Sequence, residues 1–154
     1  MCGIAGLVHL DGRPAKEVEI SAMVETMRHR GPDRLSCWYQ GNVALGHSRL
    51  SIVDLSSAAD QPMSSADGLS ILAYNGEVYN FVELREMLRA RGHVFRSTGD
   101  TEVVLKAVQE FGTEALEMFN GMFALAVLDM KRARLLLARD RYGMNPLYVS
   151  DSPS

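Results

Sequence analysis

The chain has 154 residues, the size of one domain with one hydrophobic core. Its 16 basic and 19 acidic residues give a formal net charge of −3 and form no basic tract, which argues against nucleic acid as a partner. Apolar runs are too short to span a bilayer and the first nine residues contain no Lys or Arg, so we expect neither a membrane protein nor a signal peptide. We expect a cytoplasmic protein with two reduced cysteines.

The predicted elements mix strands and helices without a regular strand–helix–strand rhythm. Apolar runs bounded by turn residues predict strands, and apolar residues spaced three and four apart predict helices. The sequence predicts, in chain order, a strand over 2–10, a helix over 20–27, a hairpin of 35–40 and 42–47, a strand over 69–74 entering an Asn75-Gly76 turn, a helix capped by Asn80, a helix from Thr101, a hairpin of 122–128 and 134–138, and the start of a strand over 147–149. This pattern favours an α+β domain with largely antiparallel sheets.

Cys2 has a chemical use that follows from its position. Removal of Met1 is usual when a small residue stands second, and it would leave Cys2 with a thiol and a free α-amino group. An α-amine has an intrinsic pKa of about 7.7 to 8.0, so it can accept a thiol proton at neutral pH without a histidine. The alternative is a small apolar side chain at the start of a buried strand.

Six short motifs follow one another along the chain. They are MCGIAG at 1–6, RHRGPD at 28–33, HSRLSIVD at 47–54, QPM at 61–63, YNGEVYN at 74–80 and GDTE at 99–102. In this order they resemble the glutaminase domain of class II glutamine amidotransferases, in the asparagine synthetase branch. The resemblance covers 2–149 and implies an N-terminal nucleophile hydrolase fold, which is a four-layer αββα sandwich with two antiparallel sheets. It also implies release of ammonia from glutamine.

The resemblance gives the matching residues their roles. Cys2 would be the nucleophile, and the Asn75-Gly76 turn would offer a side-chain amide and a backbone N–H to the oxyanion. Arg49 would bind the α-carboxylate of glutamine and Asp100 the α-ammonium group. Each of these features also has an ordinary structural explanation. The Asn75-Gly76 pair would be a plain turn, Arg49 a strand-end arginine and Asp100 a helix-capping aspartate. The implied substrate pocket comprises Arg49, Leu50, Ser51, Ile52, Val53, Asn75, Gly76, Glu77 and Asp100.

Other residues receive no catalytic step. The segment 30–33 is interpreted as an architectural helix exit near the site. His29, His47 and His93 lack the spacing of a metal site, so no metal is predicted, although His47 is the next candidate base if the amine does not serve. Asn145 stands where the resembling family often has lysine, and we expect this difference to lie away from the glutamine pocket.

We therefore predict a glutamine amidohydrolase domain over 1–149, with a C-terminal edge that is expected to be incomplete, and a polar tail over 150–154. Its ammonia would normally feed an asparagine synthetase-type amidation. No cofactor is expected in this domain, since ATP and Mg²⁺ belong to a separate synthetase domain. The expected partners are L-glutamine and a synthetase subunit or domain, and the incomplete edge favours self-association. The alternatives are a non-catalytic glutamine-binding or docking module, and an amidase for a different amide.

Overall fold

A computed structural model describes residues 2–51 and 54–151 of the chain. Its helices and strands are, in chain order, β1 (Gly3–Val8), α1 (Glu17–Thr26), β2 (Arg34–Gln40), β3 (Val43–Arg49), β4 (Met63–Ser64), β5 (Ser70–Val78), α2 (Phe81–Ala90), α3 (Asp100–Phe111), α4 (Ala115–Met118), β6 (Gly121–Asp129) and β7 (Arg134–Arg139). Short 3₁₀ turns lie at Ser57–Ala59 and Gly112–Glu114. Within the described ranges, no helix has the length and apolar character needed to cross a membrane.

The strands form two antiparallel sheets. The first has the order β1-β3-β2 and the second the order β4-β5-β6-β7. In the first sheet Gly3 pairs with Ser48, so the start of β1 lies beside the end of β3. In the second, β5 and β6 pair residue for residue from Ser70 with Asp129 to Val78 with Gly121.

Three apolar clusters define the layers. Ile20 and Val24 of α1 pack with Ala44 on the outer face of the first sheet. Between the sheets lie Leu45, Ile71, Ala73, Ala126 and Leu128. On the outer face of the second sheet, side chains such as Leu72 and Tyr74 pack against helices α2 and α3. The order is therefore helix, sheet, sheet, helices, which is the α+β sandwich that the family resemblance implied.

Alternation along β5 determines which side chains reach the space between the sheets. Ile71 and Ala73 face the first sheet, whereas Leu72 and Tyr74 face the helices. Because successive side chains of a strand point to opposite faces, Asn75 continues the row between the sheets. It therefore lies on the same side of β5 as the beginning of β1 and the end of β3.

The Asn75-Gly76 pair is part of a strand, so the predicted turn is wrong. β5 continues to Val78, with Asn75 opposite Ala124 and Gly76 opposite Phe123. Glycine is required there by close approach, since a Cβ on Gly76 would meet the Phe123 Cα at 2.7 Å and the backbone oxygen of the residue before it. A dipeptide typical of hairpin turns here marks two backbones in tight contact.

Two further local predictions also differ from the structure. Residues 147–149 form no strand, because Tyr148 and Val149 extend into solvent, 90% and 72% exposed, without pairing to any described strand. Asn80 occupies the N-cap position of α2 but does not cap it with its side chain. Instead its Nδ2 donates to the Met118 carbonyl and its Oδ1 accepts from the Asn120 N–H.

Candidate functional site

A cavity of about 110 Å³ opens where the beginning of β1 and the end of β3 meet the middle of β5. The residues predicted for the site that line this cavity are Cys2, Arg49, Leu50, Ser51, Asn75, Gly76, Glu77 and Asp100. Ile52 and Val53 were also predicted and lie outside the described residues. The fold thus gathers residues that are up to 98 positions apart in the sequence, from Cys2 to Asp100.

Cys2 is held at both its sulfur and its backbone. The Leu50 N–H donates to the Cys2 Sγ over 3.3 Å, and the Leu50 carbonyl lies 3.6 Å from the same sulfur. The Arg30 Nε donates to the Cys2 carbonyl oxygen at 3.0 Å. These contacts position the half-buried thiol on the cavity wall just before β1 begins.

The segment 30–33 braces the end of β3. The Asp33 Oδ2 accepts from the Ser51 N–H at 2.8 Å, and the Asp33 N–H donates to the Arg49 carbonyl at 3.1 Å. Gly31 is buried against the Ser48 backbone, where a Cβ would have no room. Together with the Arg30 contact to Cys2, this supports the architectural interpretation of the segment.

The backbone of β5 leaves one edge open beside the cavity. The Tyr74 N–H donates to the Gln61 Oε1 at 2.6 Å, and the Tyr74 carbonyl accepts from the His47 Nε2 at 3.2 Å. Side chains, and not a neighbouring strand, therefore cover this edge at Tyr74. Because backbone groups two residues apart point the same way, the Gly76 N–H faces the same edge. The Asn75 side chain makes no hydrogen bond to any described residue and lines the same cavity.

Arg49, the last residue of β3, is buried and already holds several partners. Its Nη1 donates to the Asp60 carboxylate and the Ser56 carbonyl, and its Nη2 to the Asp54 carbonyl. A guanidinium has five N–H groups. Two of them, Nε–H and one Nη2–H, remain without a partner among the described residues, which is the number that a bidentate carboxylate takes up.

Asp100 is the first residue of α3, and one of its oxygens is occupied. The Oδ2 accepts from the Tyr74 hydroxyl at 2.7 Å and from the Val78 N–H at 3.0 Å. Burial and the adjacent Asp100 charge raise the pKa of Tyr74 well above its usual value, so Tyr74 stays a neutral donor. The Oδ1 has no hydrogen-bond partner among the described residues, and Asp100 lines the cavity.

His47 lies on the cavity wall as a neutral group. It is fully buried, and this burial lowers its pKa to about 4, further lowered by the nearby Arg49 and opposed by Asp60 and by the Tyr74 carbonyl. Since Nε2 donates to Tyr74, Nδ1 is the unprotonated nitrogen, and it has no partner among the described residues. A histidine in this state is a poor match for a base that takes up a proton near neutral pH.

The Asp54 side chain connects the 54–56 segment to the turn before α3. Its carboxylate accepts from the backbone and hydroxyl of Ser56 and from the backbone and hydroxyl of Thr98, at 2.6 to 3.0 Å. The Ser56 hydroxyl is the largest of the contacts that hold the pKa of Asp54 far below its usual range. This link closes one side of the cavity between Arg49 and Asp100.

Asn145 also lines the cavity, so the expectation that it lies away from the glutamine pocket is wrong. It is 1% exposed, and its Nδ2 donates to the Asn75 carbonyl at 3.0 Å. Sequence reasoning missed this contact because the two residues are 70 positions apart. Asp60 and Tyr74, which hold Arg49 and Asp100, lie 11 and 26 positions from these partners and were missed because no local pattern links them. The sequence did contain a signal for Tyr74. It is the neighbour of Asn75 in the chain, so on a strand its side chain lies on the face opposite to that of Asn75.

In the described part of the chain, no group of three His, Cys, Asp or Glu side chains is arranged to hold a metal ion.

A family model described as a glutamine amidotransferase domain matches residues 1–154. The chain belongs to this family. It is thereby a glutamine amidotransferase domain, as its motifs indicated. Among the described residues, the site positions predicted from those motifs line one cavity.

The similar proteins are longer than this chain. It is 41% identical to asparagine synthetase [glutamine-hydrolyzing] 3 of Bacillus subtilis, over 100% of the chain and 25% of that protein. It is 35% identical to asparagine synthetase [glutamine-hydrolyzing] 1 of Arabidopsis thaliana, over 97% of the chain and 25% of that protein. The chain thus spans about a quarter of the length of these relatives and corresponds to their glutamine amidotransferase part.

A solved structure shows the same fold. The glutamine phosphoribosylpyrophosphate amidotransferase of B. subtilis superposes with a TM-score of 0.70, covering 89% of this chain and 37% of that one. Its sequence identity is 19%, so this likeness bears on the fold alone. It agrees with the predicted N-terminal nucleophile hydrolase sandwich.

Proposed function

We propose that this domain hydrolyses the side-chain amide of L-glutamine with Cys2 as the nucleophile. The observation that carries the proposal is the position of the Cys2 sulfur, which receives the Leu50 N–H at 3.3 Å in the cavity that Asn75 and Gly76 also line. A thiol, an open backbone N–H and an unpaired side-chain amide are what attack on an amide carbonyl requires.

In the proposed reaction, removal of Met1 exposes the α-amine of Cys2, which takes the thiol proton. The thiolate attacks the amide carbon, and the Asn75 Nδ2 and the Gly76 N–H stabilise the oxyanion. The C–N bond then breaks, the Cys2 ammonium protonates the leaving nitrogen, and ammonia departs from a thioester. Water, deprotonated by the same amine, attacks the thioester carbon. Collapse of this second intermediate releases glutamate and restores the thiol.

The amino-acid end of glutamine is proposed to bind between Arg49 and Asp100. The Nε–H and Nη2–H of Arg49 that have no described partner suit a carboxylate, since Asp60 holds the rest of the guanidinium in place. The Asp100 Oδ1 suits the ammonium group, because Tyr74 occupies the other oxygen. Backbone groups of Leu50 and Ser51, with Ile52, Val53 and Glu77, would complete the pocket as the family motif implies.

The direct test compares the two cysteines. We expect Cys2→Ala to abolish glutamate formation from glutamine, and Cys37→Ala to retain it, because Cys37 lies on the opposite side of the first sheet, near Ser21 of α1. A diazoketone analogue of glutamine should add one equivalent at Cys2. The intact mass of the active protein should begin at Cys2. Turnover by Cys2→Ala, or labelling mainly at Cys37, would refute the assignment, and glutamine binding without turnover would favour a sensing or docking module.

The ammonia is proposed to serve an asparagine synthetase-type amidation, as the names of the relatives suggest. The hydrolysis itself needs no cofactor, because the nucleophile, base and oxyanion donors are all side-chain or backbone groups of the domain over 1–149. ATP and Mg²⁺ would be required by a synthetase domain or subunit that receives the ammonia. The proposed compartment is the cytoplasm, whose reducing conditions keep a catalytic thiol free.

A further inference from the structure

Asn145 is bonded to the peptide unit that carries a proposed oxyanion donor. Its Nδ2 donates to the Asn75 carbonyl at 3.0 Å, and that carbonyl belongs to the same peptide plane as the Gly76 N–H. A donor on one end of a peptide unit increases the polarisation of the other end, because hydrogen bonds in a chain strengthen one another. The hydrogen bond from Asn145 to the Asn75 carbonyl therefore acts, through this peptide, on the Gly76 N–H that would donate to the oxyanion.

The asparagine is held so that only one orientation of its amide is favourable. Asp140 accepts from the Asn145 backbone N–H at 3.1 Å and from the N–H groups of Tyr142 and Met144 at 3.0 Å. Burial alone would raise the pKa of Asp140, but these backbone bonds, with that of Phe123, outweigh it and lower the pKa. Exchanging the amide nitrogen and oxygen of Asn145 would place two oxygens against each other at Asn75, so Nδ2 is the atom that faces Asn75.

Stability does not explain why a polar side chain lies here. Asn145 is 1% exposed, and its Oδ1 is buried without a partner among the described residues. An unpaired buried acceptor costs free energy of folding, whereas a leucine, which has the same number of side-chain heavy atoms, would carry no such oxygen. A retained cost at the wall of the reactive cavity is typical of a residue kept for function.

We propose that Asn145 is a positioning residue that fixes and polarises the Asn75–Gly76 peptide for oxyanion stabilisation. This inference rests on the proposed glutaminase activity. Its effect falls on the tetrahedral intermediate and not on the bound substrate, since the oxyanion forms only after attack. Loss of the Nδ2 donor should therefore lower kcat and leave KM for glutamine unchanged.

The test uses three substitutions at this position. Asn145→Leu keeps the branching and the number of side-chain heavy atoms and removes the donor, and we expect kcat to fall about threefold to tenfold, the scale of one net hydrogen bond. Asn145→Asp replaces the donor by an acceptor and should lower kcat further. Asn145→Lys supplies a new N–H donor, as the lysine often found here in the resembling family would, and should restore kcat.

Two readouts separate positioning from a general disturbance of the site. Alkylation of Cys2 by iodoacetamide forms no oxyanion, so its rate should be equal in the wild-type and Asn145→Leu proteins. Asn80→Leu is the matched control, because the Asn80 Nδ2 also donates to a backbone carbonyl, that of Met118, and Asn80 does not line the cavity. This control should keep the wild-type kcat.

An unchanged kcat in Asn145→Leu would overturn the proposal. So would a parallel change in kcat, KM and alkylation rate that Asn145→Lys does not reverse, because a merely structural residue would behave in that way. Failure of the proposed function looks different, since the wild-type domain itself would then release no glutamate from glutamine.

Discussion

His47 should make the stability of the domain depend on pH from about pH 6.5 downwards, above the range in which carboxylates begin to titrate. The folded protein holds this fully buried histidine at a pKa of about 4, whereas an unfolded chain titrates it near 6.5. Between these values the unfolded state binds a proton that the folded state does not, so stability falls as pH decreases. The slope approaches roughly 1.4 kcal/mol per pH unit, and the loss from pH 6.5 to pH 4 is about 3 kcal/mol.

Urea unfolding at several pH values between 7.5 and 4 measures this loss directly. Trp38, the only tryptophan of the chain, packs at the cluster between the sheets and reports unfolding by its fluorescence. His47→Gln should flatten the slope between pH 6.5 and 4, while His29→Gln, at an exposed position, should retain it. Equal slopes in the wild type and His47→Gln would refute the reasoning. His47→Gln should also keep any activity increase near pH 7 to 8, because the proposed base is the terminal amine.

Three further predictions concern the site. Arg49→Ala and Asp100→Ala should each mainly raise the glutamine KM, by about 10- to 100-fold, because a charge-assisted bond to the substrate is lost. Asn75→Ala should instead mainly lower kcat, by about 10²- to 10³-fold. Steady-state kinetics measures both constants, and the reverse pattern would exchange these roles. Gly76→Ala should destabilise the domain by about 1 to 3 kcal/mol through the clash with β6, and an unchanged urea midpoint would contradict the close approach. Selective acetylation of the Cys2 α-amine should silence glutamine hydrolysis; full turnover afterwards would require another base.

The sequence predicted the elements well wherever local patterns decide them. The spacing of Ile20 and Val24 predicted α1, and both side chains are buried against the first sheet, while Met23 from the same predicted face is 39% exposed. The Asn75-Gly76 dipeptide misled because its residue types suit a turn equally well, and only the approach of β6 shows that a strand continues there. Residues 147–149 were apolar enough for a strand but have nothing described to pair with.

For the site, the motifs identified which residues meet but not how they are held. Arg49 and Asp100 line the cavity as the motifs implied, and yet their partners Asp60 and Tyr74 depend on contacts that no local pattern encodes. Asn145 is the clearest case, because its partner lies 70 residues earlier in the chain. Tertiary hydrogen bonds of this kind depend on how the topology brings distant segments together. No residue spacing or periodicity in a single sequence indicates them.

The placement of Asn75 and Gly76 inside a strand also governs how the protein ages. Asn-Gly pairs deamidate when the glycine nitrogen attacks the asparagine side-chain carbon to form a five-membered ring. The extended conformation of β5 at Asn75 and the 6% exposure of Asn75 keep these atoms from closing that ring. Deamidation would convert the proposed oxyanion donor into a carboxylate, which repels an oxyanion. The rate at which stored protein gains one dalton at Asn75 should therefore rise with the population of molecules in which β5 is locally open, and each deamidated molecule should lose the proposed oxyanion donor permanently.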